Sequence, residues 1–321
     1  MTLDLSTLLP AHEPRPSRLL VEAPLKPVQG ARFQPTGFPD LGAALFDTKD
    51  GTRLVVESHQ SMANRLESVC WDSTEHDLAS ELRGLSYVRV VDDKNEFLTS
   101  SVTEAHRLNA PYILESKDKT FFETLKKEAD ALDKGKIERA KLAALVLKYD
   151  IGSLLHGLFL AKKDLVGGRL RIERALSAFI EAAGVRVAAS GGVKNDHVDP
   201  SGDAAKGFGN VPFQRDEYTA ESIVAYFNLD LAEIHGFGLG PEVERLLVTL
   251  ALYKIRRLLD GHLRLRTACD LELSGPIVVK RPDGFVVPDL ATIRGALGAV
   301  IGECASRFSG KNGVTTVVYK A

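Results

Sequence analysis

The sequence predicts an α+β fold in which an antiparallel sheet carries helices, and two observations support that class. Segments with apolar residues at helical spacing alternate along the chain with short strand-like segments. The segment from His262 to Leu273 alternates strictly between polar and apolar residues, which is typical of a half-buried strand in an antiparallel sheet. The strands of a doubly wound parallel sheet would be apolar throughout, so that class is less favoured.

Length and composition are those of a globular protein with one large domain or two smaller ones. The chain has 321 residues, of which 44% are hydrophobic and 26% charged, and its formal net charge is −2. Because nucleic-acid-binding domains usually carry a basic excess, any such surface here would have to be local.

No segment approaches the roughly 20 apolar residues of a membrane span. The three cysteines are widely separated, which indicates neither a disulfide framework nor a zinc site. We expect a cytoplasmic protein that contacts no membrane.

The start of the chain is unusually rich in proline. Seven of the 14 prolines lie in the first forty residues, which predicts an extended arm over residues 1–45. The arm either wraps a neighbouring molecule or lies on the body of its own chain. Ordered structure is expected to begin with a strand from Thr52 to Glu57, and Ser58 is a suitable N-cap for the helix that follows. Residues 46–321 are expected to form a single domain.

Two insertions are expected within that domain. The first, residues 114–150, is dense in Lys, Glu and Ala and predicts two helices broken at Gly135. The second, residues 189–215, is rich in glycine and is expected to lack regular structure through most of its length. Loops this long inside a compact domain are usually functional or disordered. The segment just before it, Leu176 to Ala183, is predicted to be helical.

The remaining elements follow from start and stop signals. They are a strand at Tyr87 to Val91, a long helix from Pro241 that ends before Gly261, a hairpin around Pro282 to Gly284, a helix from Asp289, and a last strand at Val314 to Tyr319.

Catalytic signatures are sparse. The sequence contains no Walker A loop, no H-E-x-x-H and no C-x-x-C. The glycines from Gly236 to Gly240 resemble a dinucleotide fingerprint, but their spacing and the proline that follows favour a tight turn. Asp196, Asp199 and Asp203 form a carboxylate cluster in the glycine-rich segment, and their spacing does not match a Ca²⁺ loop. We therefore predict no catalytic residue, no metal and no cofactor, and the aspartates define the enzyme alternative.

The feature that remains is a set of basic and amide side chains beside helix starts and on a strand face. Guanidinium groups bind phosphate bidentately, and amides contact phosphate, sugar or base edges. Residues 162–174 carry five basic and two acidic side chains, and residues 245–266 carry six basic and one acidic. The surface of an ordinary charged protein would give the same composition, so that interpretation stays open. The candidate residues are Gln60, Asn64, Arg65, Arg107, Arg169, Arg171, Lys194, Asn195, Arg264 and Arg266.

Seven segments between about Thr52 and Leu273 resemble one known family. They are SHQSMANRLESVCWD (58–72), TSSVTEAHRLNAPYI (99–113), GSLLHGLFLA (152–161), GGRLRIERALSAFIEAAGVRVAASGGVKND (167–196), GFGNVPF (207–213), YFNLDL (226–231) and LRLRTACDLEL (263–273). Together they resemble the backbone subunit of a type I-G (formerly type I-U) CRISPR Cascade complex, a Cas-seven-family RAMP protein. The basic and polar residues within these motifs add Ser58 and His106 to the candidate RNA-binding set.

The resemblance implies an RRM-like (ferredoxin-like) palm with a helical finger insertion and a thumb-like loop. Such subunits polymerise along a CRISPR RNA, whose guide pairs with target DNA in antiviral defence. The implied partners are the CRISPR RNA, target DNA through the guide duplex, further copies of the chain, the large subunit, a fused Cas-five/Cas-six-type subunit and a recruited helicase-nuclease. The strand at 263–273 lacks the aromatic pattern of RNA-binding RRM modules, which favours backbone contacts over base stacking.

The same resemblance also says which reaction the enzyme alternative would catalyse. Type I members of the family do not cut nucleic acid, whereas related backbone subunits of type III complexes cleave target RNA with a loop aspartate. Asp196 or Asp199 occupies a comparable loop here. The alternative function is therefore a metal-dependent ribonuclease.

Overall fold

A computed structural model describes residues 3–38, 42–132, 138–261 and 263–320. The described strands are β1 (Arg18–Pro27), β2 (Gly37–Phe38), β3 (Gly42–Ala43), β4 (Leu45–Thr48), β5 (Gly51–Glu57), β6 (Trp71–Asp72), β7 (Asp77–Leu78), β8 (Tyr87–Val91), β9 (Phe97–Ser100), β10 (Leu158–Leu160), β11 (Leu170–Ile172), β12 (Leu176–Ala183), β13 (Arg186–Lys194), β14 (Val211–Thr219), β15 (Ser222–Asp230), β16 (Arg264–Arg266), β17 (Cys269–Leu273), β18 (Val278–Arg281) and β19 (Val314–Val318). The α-helices are α1 (His59–Ser68), α2 (Pro111–Leu114), α3 (Thr120–Asp130), α4 (Arg139–Tyr149), α5 (Gly152–His156), α6 (Leu231–Gly236), α7 (Pro241–Leu259) and α8 (Leu290–Cys304).

The centre of the fold is the antiparallel order β17-β1-β15-β12. Helix α1 lies in sequence between β1 and β12, and α7 lies between β15 and β17. Each helix thus connects two strands that are parallel but not adjacent, which is the βαββαβ arrangement of a ferredoxin-like palm. In the described ranges the full sheet has eight strands, with β5 and β4 added beyond β12, β16 beyond β17, and β18 paired with β1. The predicted α+β, RRM-like class is confirmed.

The two faces of this palm have different environments. Along β1, β12 and β15, buried residues alternate with half-buried or exposed ones, so one face is closed and the other is open. Helix α1 contacts β12 and α7, and both helices bury apolar side chains such as Met62, Leu66 and Leu247. Burial of apolar surface, worth roughly 1.5–3 kcal/mol for a large aliphatic side chain, fixes the helices on one side. The other side remains accessible.

Strand β1 corrects the expected start of ordered structure. The prolines predict an arm, yet Arg18–Pro27 is a central strand that pairs with β15 from Arg18 to Leu25. Its residues Leu19, Val21 and Ala23 are fully buried. Ordered structure therefore begins well before Thr52, and residues 18–27 share one sheet with the strand that begins at Gly51.

Strand β12 corrects a predicted helix. The alanines and leucine of Leu176–Ala183 favour a helix by propensity, but pairing with β15 and β5 overrides that weak preference. Leu176, Ala178, Ile180 and Ala182 are buried, a period of two that only a strand presents to one face.

The glycine-rich segment is a two-stranded ribbon, not an irregular loop. β13 and β14 pair without interruption from Arg186↔Thr219 to Lys194↔Val211. Gly191 permits the close approach of the two strands, because a Cβ there would lie 2.6 Å from the carbonyl oxygen of Phe213. The irregular part is confined to the tip, residues 195–210, which includes one short 3₁₀ turn.

The segment 263–273 forms two strands where one is expected. β16 and β17 pair with each other across a turn in which Ala268 adopts a φ of 59°. The predicted alternation survives, since Leu263, Leu265, Cys269 and Leu271 are all buried. The hairpin expected around Pro282 is not found among the described strands, because β18 pairs with β1 instead.

The other expected elements are confirmed. These are β5, α1 with its Ser58 cap, β8, the helices α3 and α4 of the finger insertion, α7, α8 and β19. The break predicted at Gly135 lies outside the described residues. No helix within the described ranges is long and apolar enough to cross a membrane.

A buried polar cluster lies where α5 meets α7. Asp150 is 1% exposed. Its carboxylate accepts hydrogen bonds from Ser153 Oγ at 2.7 Å and from Gly152 N at 3.1 Å. Lys254 Nζ and His156 Nε2 lie 3.0 Å apart in the same interior. Burial raises the pKa of Asp150 to about 6, against the opposing hydrogen bond from Ser153.

We predict that Asp150→Asn removes a specific pH dependence of stability. A carboxyl whose pKa is higher in the folded than in the unfolded chain stabilises the fold below its unfolded pKa, and that stabilisation is lost as pH rises through the folded value. Wild-type stability should therefore fall, relative to the variant, between about pH 4 and pH 6 by on the order of 2 kcal/mol. Urea unfolding at several pH values measures the difference. Parallel pH profiles would contradict the assignment.

Candidate nucleic-acid interface

Two of the predicted arginines converge on the buried carboxylate of Glu57, at the end of β5. Glu57 is 1% exposed. Its Oε1 accepts from Arg65 Nε at 3.1 Å and from the hydroxyl of Ser61, and its Oε2 accepts from Arg266 Nη2. One carboxylate thus joins the first turns of α1 to the hairpin β16–β17.

Further backbone contacts hold the same two arginines in place. Arg65 Nη2 donates to the carbonyl oxygen of Leu265. Arg266 Nη1 donates to the carbonyl oxygens of Gln34 at 3.1 Å and Val56 at 3.2 Å. Arg65 and Arg266 therefore have a structural role, because their hydrogen bonds hold α1 against the sheet.

Arg107 is also turned inward. It is 7% exposed, and its Nε and Nη2 donate to the carboxylate of Glu67 at 2.6 Å and 2.7 Å. Its φ of 50° is uncommon for a residue with a side chain, and the bidentate ion pair holds it there.

The exposed candidates come together around Arg174. Its Nη1 donates to the carbonyl oxygen of His59 and its Nη2 to Gln60 Oε1, both at 3.2 Å. Its Nε donates to the carbonyl oxygen of His156 at 3.3 Å. Gln60 in turn donates to Asn64 Oδ1 at 3.3 Å. Arg174 therefore joins the start of α1 to the base of the hairpin β10–β11.

The hairpin β10–β11 contributes the other half of this surface. Phe159 and Arg171 are cross-strand partners on its exposed side. The Arg171 guanidinium carbon lies 5.9 Å from the centre of the Phe159 ring. Arg169 is exposed, and its Nε donates to the carbonyl oxygen of Val166 at 3.1 Å. We call this set the α1–hairpin surface; it comprises His59, Gln60, Asn64, Phe159, Arg169, Arg171 and Arg174.

The remaining predicted residues occupy other positions. Ser58 accepts from Ser61 N at 3.3 Å as the N-cap of α1. His106 is exposed just before the 3₁₀ turn that contacts β10. Lys194 and Asn195 lie at the far end of the ribbon, where Lys194 Nζ donates to the carbonyl oxygen of Gly207 at 2.8 Å. Arg264 is exposed on β16.

Five functional candidates were not predicted from the sequence. They are His59, Phe159, Arg174 and the aromatic pair Phe179 and Tyr226, whose rings stack at 4.9 Å on the open face of the palm. His59 extends that stack, with its ring 4.7 Å from Phe179. The aromatics missing from β17 are thus found on β12 and β15. Their alternation is visible in the sequence once Leu176–Ala183 is recognised as a strand.

The ribbon presents apolar side chains to solvent at its outer end. Val198 is 95% exposed, and Val193, Phe208 and Phe213 are more than half exposed. Several exposed apolar side chains on one element are typical of a surface that another molecule covers.

Asp196, the candidate for the enzyme alternative, organises the tip of the ribbon. Its carboxylate accepts from the backbone N–H groups of Val198, Asp199 and Gly209 at 2.9–3.0 Å. These hydrogen bonds lower the pKa of Asp196. Among the residues that the structure describes, no three His, Cys, Asp or Glu side chains are arranged to hold a metal ion.

The family profile of CRISPR-associated protein GSU0053 matches residues 19–187, more than half of the chain. The chain belongs to this family. The matched span of this CRISPR-associated protein runs from β1 through α1 and the finger helices to β12, and it includes the whole α1–hairpin surface.

A chain of a "CRISPR RNA-guided surveillance complex, pre-nicking" is 14% identical, with a TM-score of 0.41 over 90% of this chain and 88% of that chain. Csc2 of Thermofilum pendens is 10% identical, with a TM-score of 0.32 over 90% of this chain and 76% of that chain. No curated protein matches the sequence.

We predict that Glu57→Gln destabilises the protein by on the order of 2 kcal/mol, because two partly buried guanidinium groups lose their counter-charge. Glu181→Gln is the matched control, since Glu181 lies on the open face 3.7 Å from Arg53. The control should change stability by less than about 0.5 kcal/mol. Urea unfolding of both variants measures the difference, and equal losses would contradict a special role for Glu57.

Proposed function

We propose that this CRISPR-associated protein is the RNA-binding backbone subunit of a type I Cascade complex, of type I-G. Copies polymerise along the CRISPR RNA and support pairing of its guide with target DNA in antiviral defence. The observation that carries the proposal is the family match over residues 19–187, which includes the α1–hairpin surface.

The chemistry of that surface suits the backbone of a single strand. Exposed arginines on β11 and just before it bind phosphate, and the amides of Gln60 and Asn64 at the first turns of α1 bind phosphate or sugar. Sequence recognition is left to base pairing between guide and target, so the protein needs no base-specific groove. A formal net charge of −2 is compatible with this role because residues 162–174 carry a local excess of basic side chains, five against two acidic ones.

Polymerisation is supported by the ribbon β13–β14. Its exposed apolar side chains, among them Val198 and Phe208, would be covered by a neighbouring copy, as the thumb of the family docks on the next subunit. Lys194 and Asn195 at the ribbon tip would then face the RNA between two copies. The remaining partners are the large subunit, a fused Cas-five/Cas-six-type subunit and a recruited helicase-nuclease.

We predict that replacement of Arg169 and Arg171 by Ala weakens binding of a labelled single-stranded RNA of spacer length. Each phosphate contact on a single strand contributes about 0.7 to the slope of log affinity against log salt, so the double variant should lose about 1.4. Fluorescence anisotropy at several salt concentrations measures the slope.

The matched control for this experiment is Arg245→Ala, because Arg245 pairs with Glu303 on the surface between α7 and α8. It should leave the slope unchanged. An unchanged slope in the double variant would contradict the assignment of Arg169 and Arg171 as phosphate-binding residues. A wild-type protein that neither binds RNA nor grows into a multi-copy particle with it and its partner subunits would contradict the proposed function.

We further propose that the chain itself performs no cleavage. The hydrogen bonds of Asp196 are those of a residue that shapes a loop. In the assembled particle with Mg²⁺, target RNA should stay intact. Regularly spaced cuts that disappear in Asp196→Ala or Asp199→Ala would instead show that the chain is a metal-dependent ribonuclease.

A further inference from the structure

We infer that Phe159 is a base-stacking residue, whose ring takes one unpaired nucleobase of a single-stranded RNA while Arg171 binds an adjoining phosphate. This inference rests on the proposed function and deepens it, because it adds contact with bases to a surface so far assigned only to the RNA backbone.

The backbone of the hairpin directs this ring outward. Leu158 and Leu160, on either side of Phe159, are 7% and 1% exposed, whereas Phe159 is 54% exposed. Successive side chains of a strand point to opposite faces, so the two leucines anchor β10 in the core and present the phenyl ring to solvent. The face of the phenyl ring is therefore accessible to a ligand.

Arg171 completes the site from the opposite strand. It is the cross-strand partner of Phe159, with its guanidinium carbon 5.9 Å from the ring centre. In the described part of the chain Arg171 has no ion pair with a carboxylate, so its guanidinium hydrogens are available to phosphate. A cation beside an aromatic ring is the combination that single-strand binding proteins use for a phosphate and its base.

The surrounding charge favours RNA over a protein as the occupant. Residues 162–174 carry five basic and two acidic side chains, which attract a polyanion to this hairpin. The apolar patch that suits a protein partner is a different one, at the end of the ribbon. Stacking on a phenyl ring is tolerant of base identity, because every base has an aromatic face. This tolerance is what a subunit that must accept any guide sequence requires.

The test compares two labelled probes of equal length and charge, a 20-nucleotide oligoadenylate and a 20-unit abasic ribose phosphate. We expect Phe159→Ala to weaken oligoadenylate binding by about five- to tenfold, since loss of one stacked base has an effect of that order. Binding of the abasic probe should stay unchanged. Phe159→Trp should retain the preference for bases, and Phe159→Leu, which keeps an apolar side chain without a ring, should lose it.

Phe46→Ala is the matched control, because Phe46 is also an exposed phenylalanine on a strand but lies on the edge strand β4. It should bind both probes as the wild type does. Equal weakening of both probes by Phe159→Ala, or none, would overturn the inference while the proposed function stands. Loss of self-assembly with unchanged RNA binding would assign Phe159 to a protein contact and also overturn it. Failure of the wild type to bind either probe would contradict the proposed function itself.

Discussion

The carboxylate of Glu57 is the constraint on which the position of the α1–hairpin surface depends. It lies at the point where β5 ends and α1 begins, and it receives Arg65, Ser61 and Arg266 from two separate parts of the chain. A buried carboxylate is unfavourable unless it is paired and hydrogen-bonded, and this one is both. The pairing fixes the direction of the helix as it leaves the sheet. That direction in turn determines where His59, Gln60 and Asn64 meet the base of the hairpin β10–β11.

The arginines of this region fall into two groups, one held in ion pairs with buried carboxylates and one exposed. Arg65, Arg107 and Arg266 satisfy the buried carboxylates of Glu57 and Glu67, and they keep α1, the turn before α2 and the hairpin β16–β17 in register with the palm. Arg169 and Arg171 stand on a hairpin that projects from the same region. Arg174 lies between these groups and bonds to both sides of the junction. The internal arginines thus position a surface on which the external ones act.

The α+β class, the elements with clear caps and the alternation at 263–273 could be predicted from the sequence, because each depends on local pattern. Strand β12 could not, since its alanines have helical propensity and only pairing with β15 and β5 determines their conformation. The prolines of β1 disguise a strand whose partner β15 lies far away in the chain. The glycines of β13 disguise a strand that pairs with the next one, β14, beyond a long tip. In the candidate site, Gln60, Asn64, Arg169 and Arg171 are exposed, as a binding role requires, and that role stays a prediction. An inward arginine such as Arg107 has the same sequence signal as an outward one, because the carboxylate that captures it is 40 residues away.

Photo-cross-linking can locate the RNA-binding surface directly. The full-length protein is cross-linked to a single-stranded RNA that contains 4-thiouridine, and the adducts are located by mass spectrometry. We expect adducts in the peptides that contain residues 59–64 and 159–174, with a further set at the ribbon tip only when copies have assembled. Adducts confined to other surfaces, such as α8 or the edge hairpin β4–β5, would contradict the assignment of the α1–hairpin surface as the place where RNA binds.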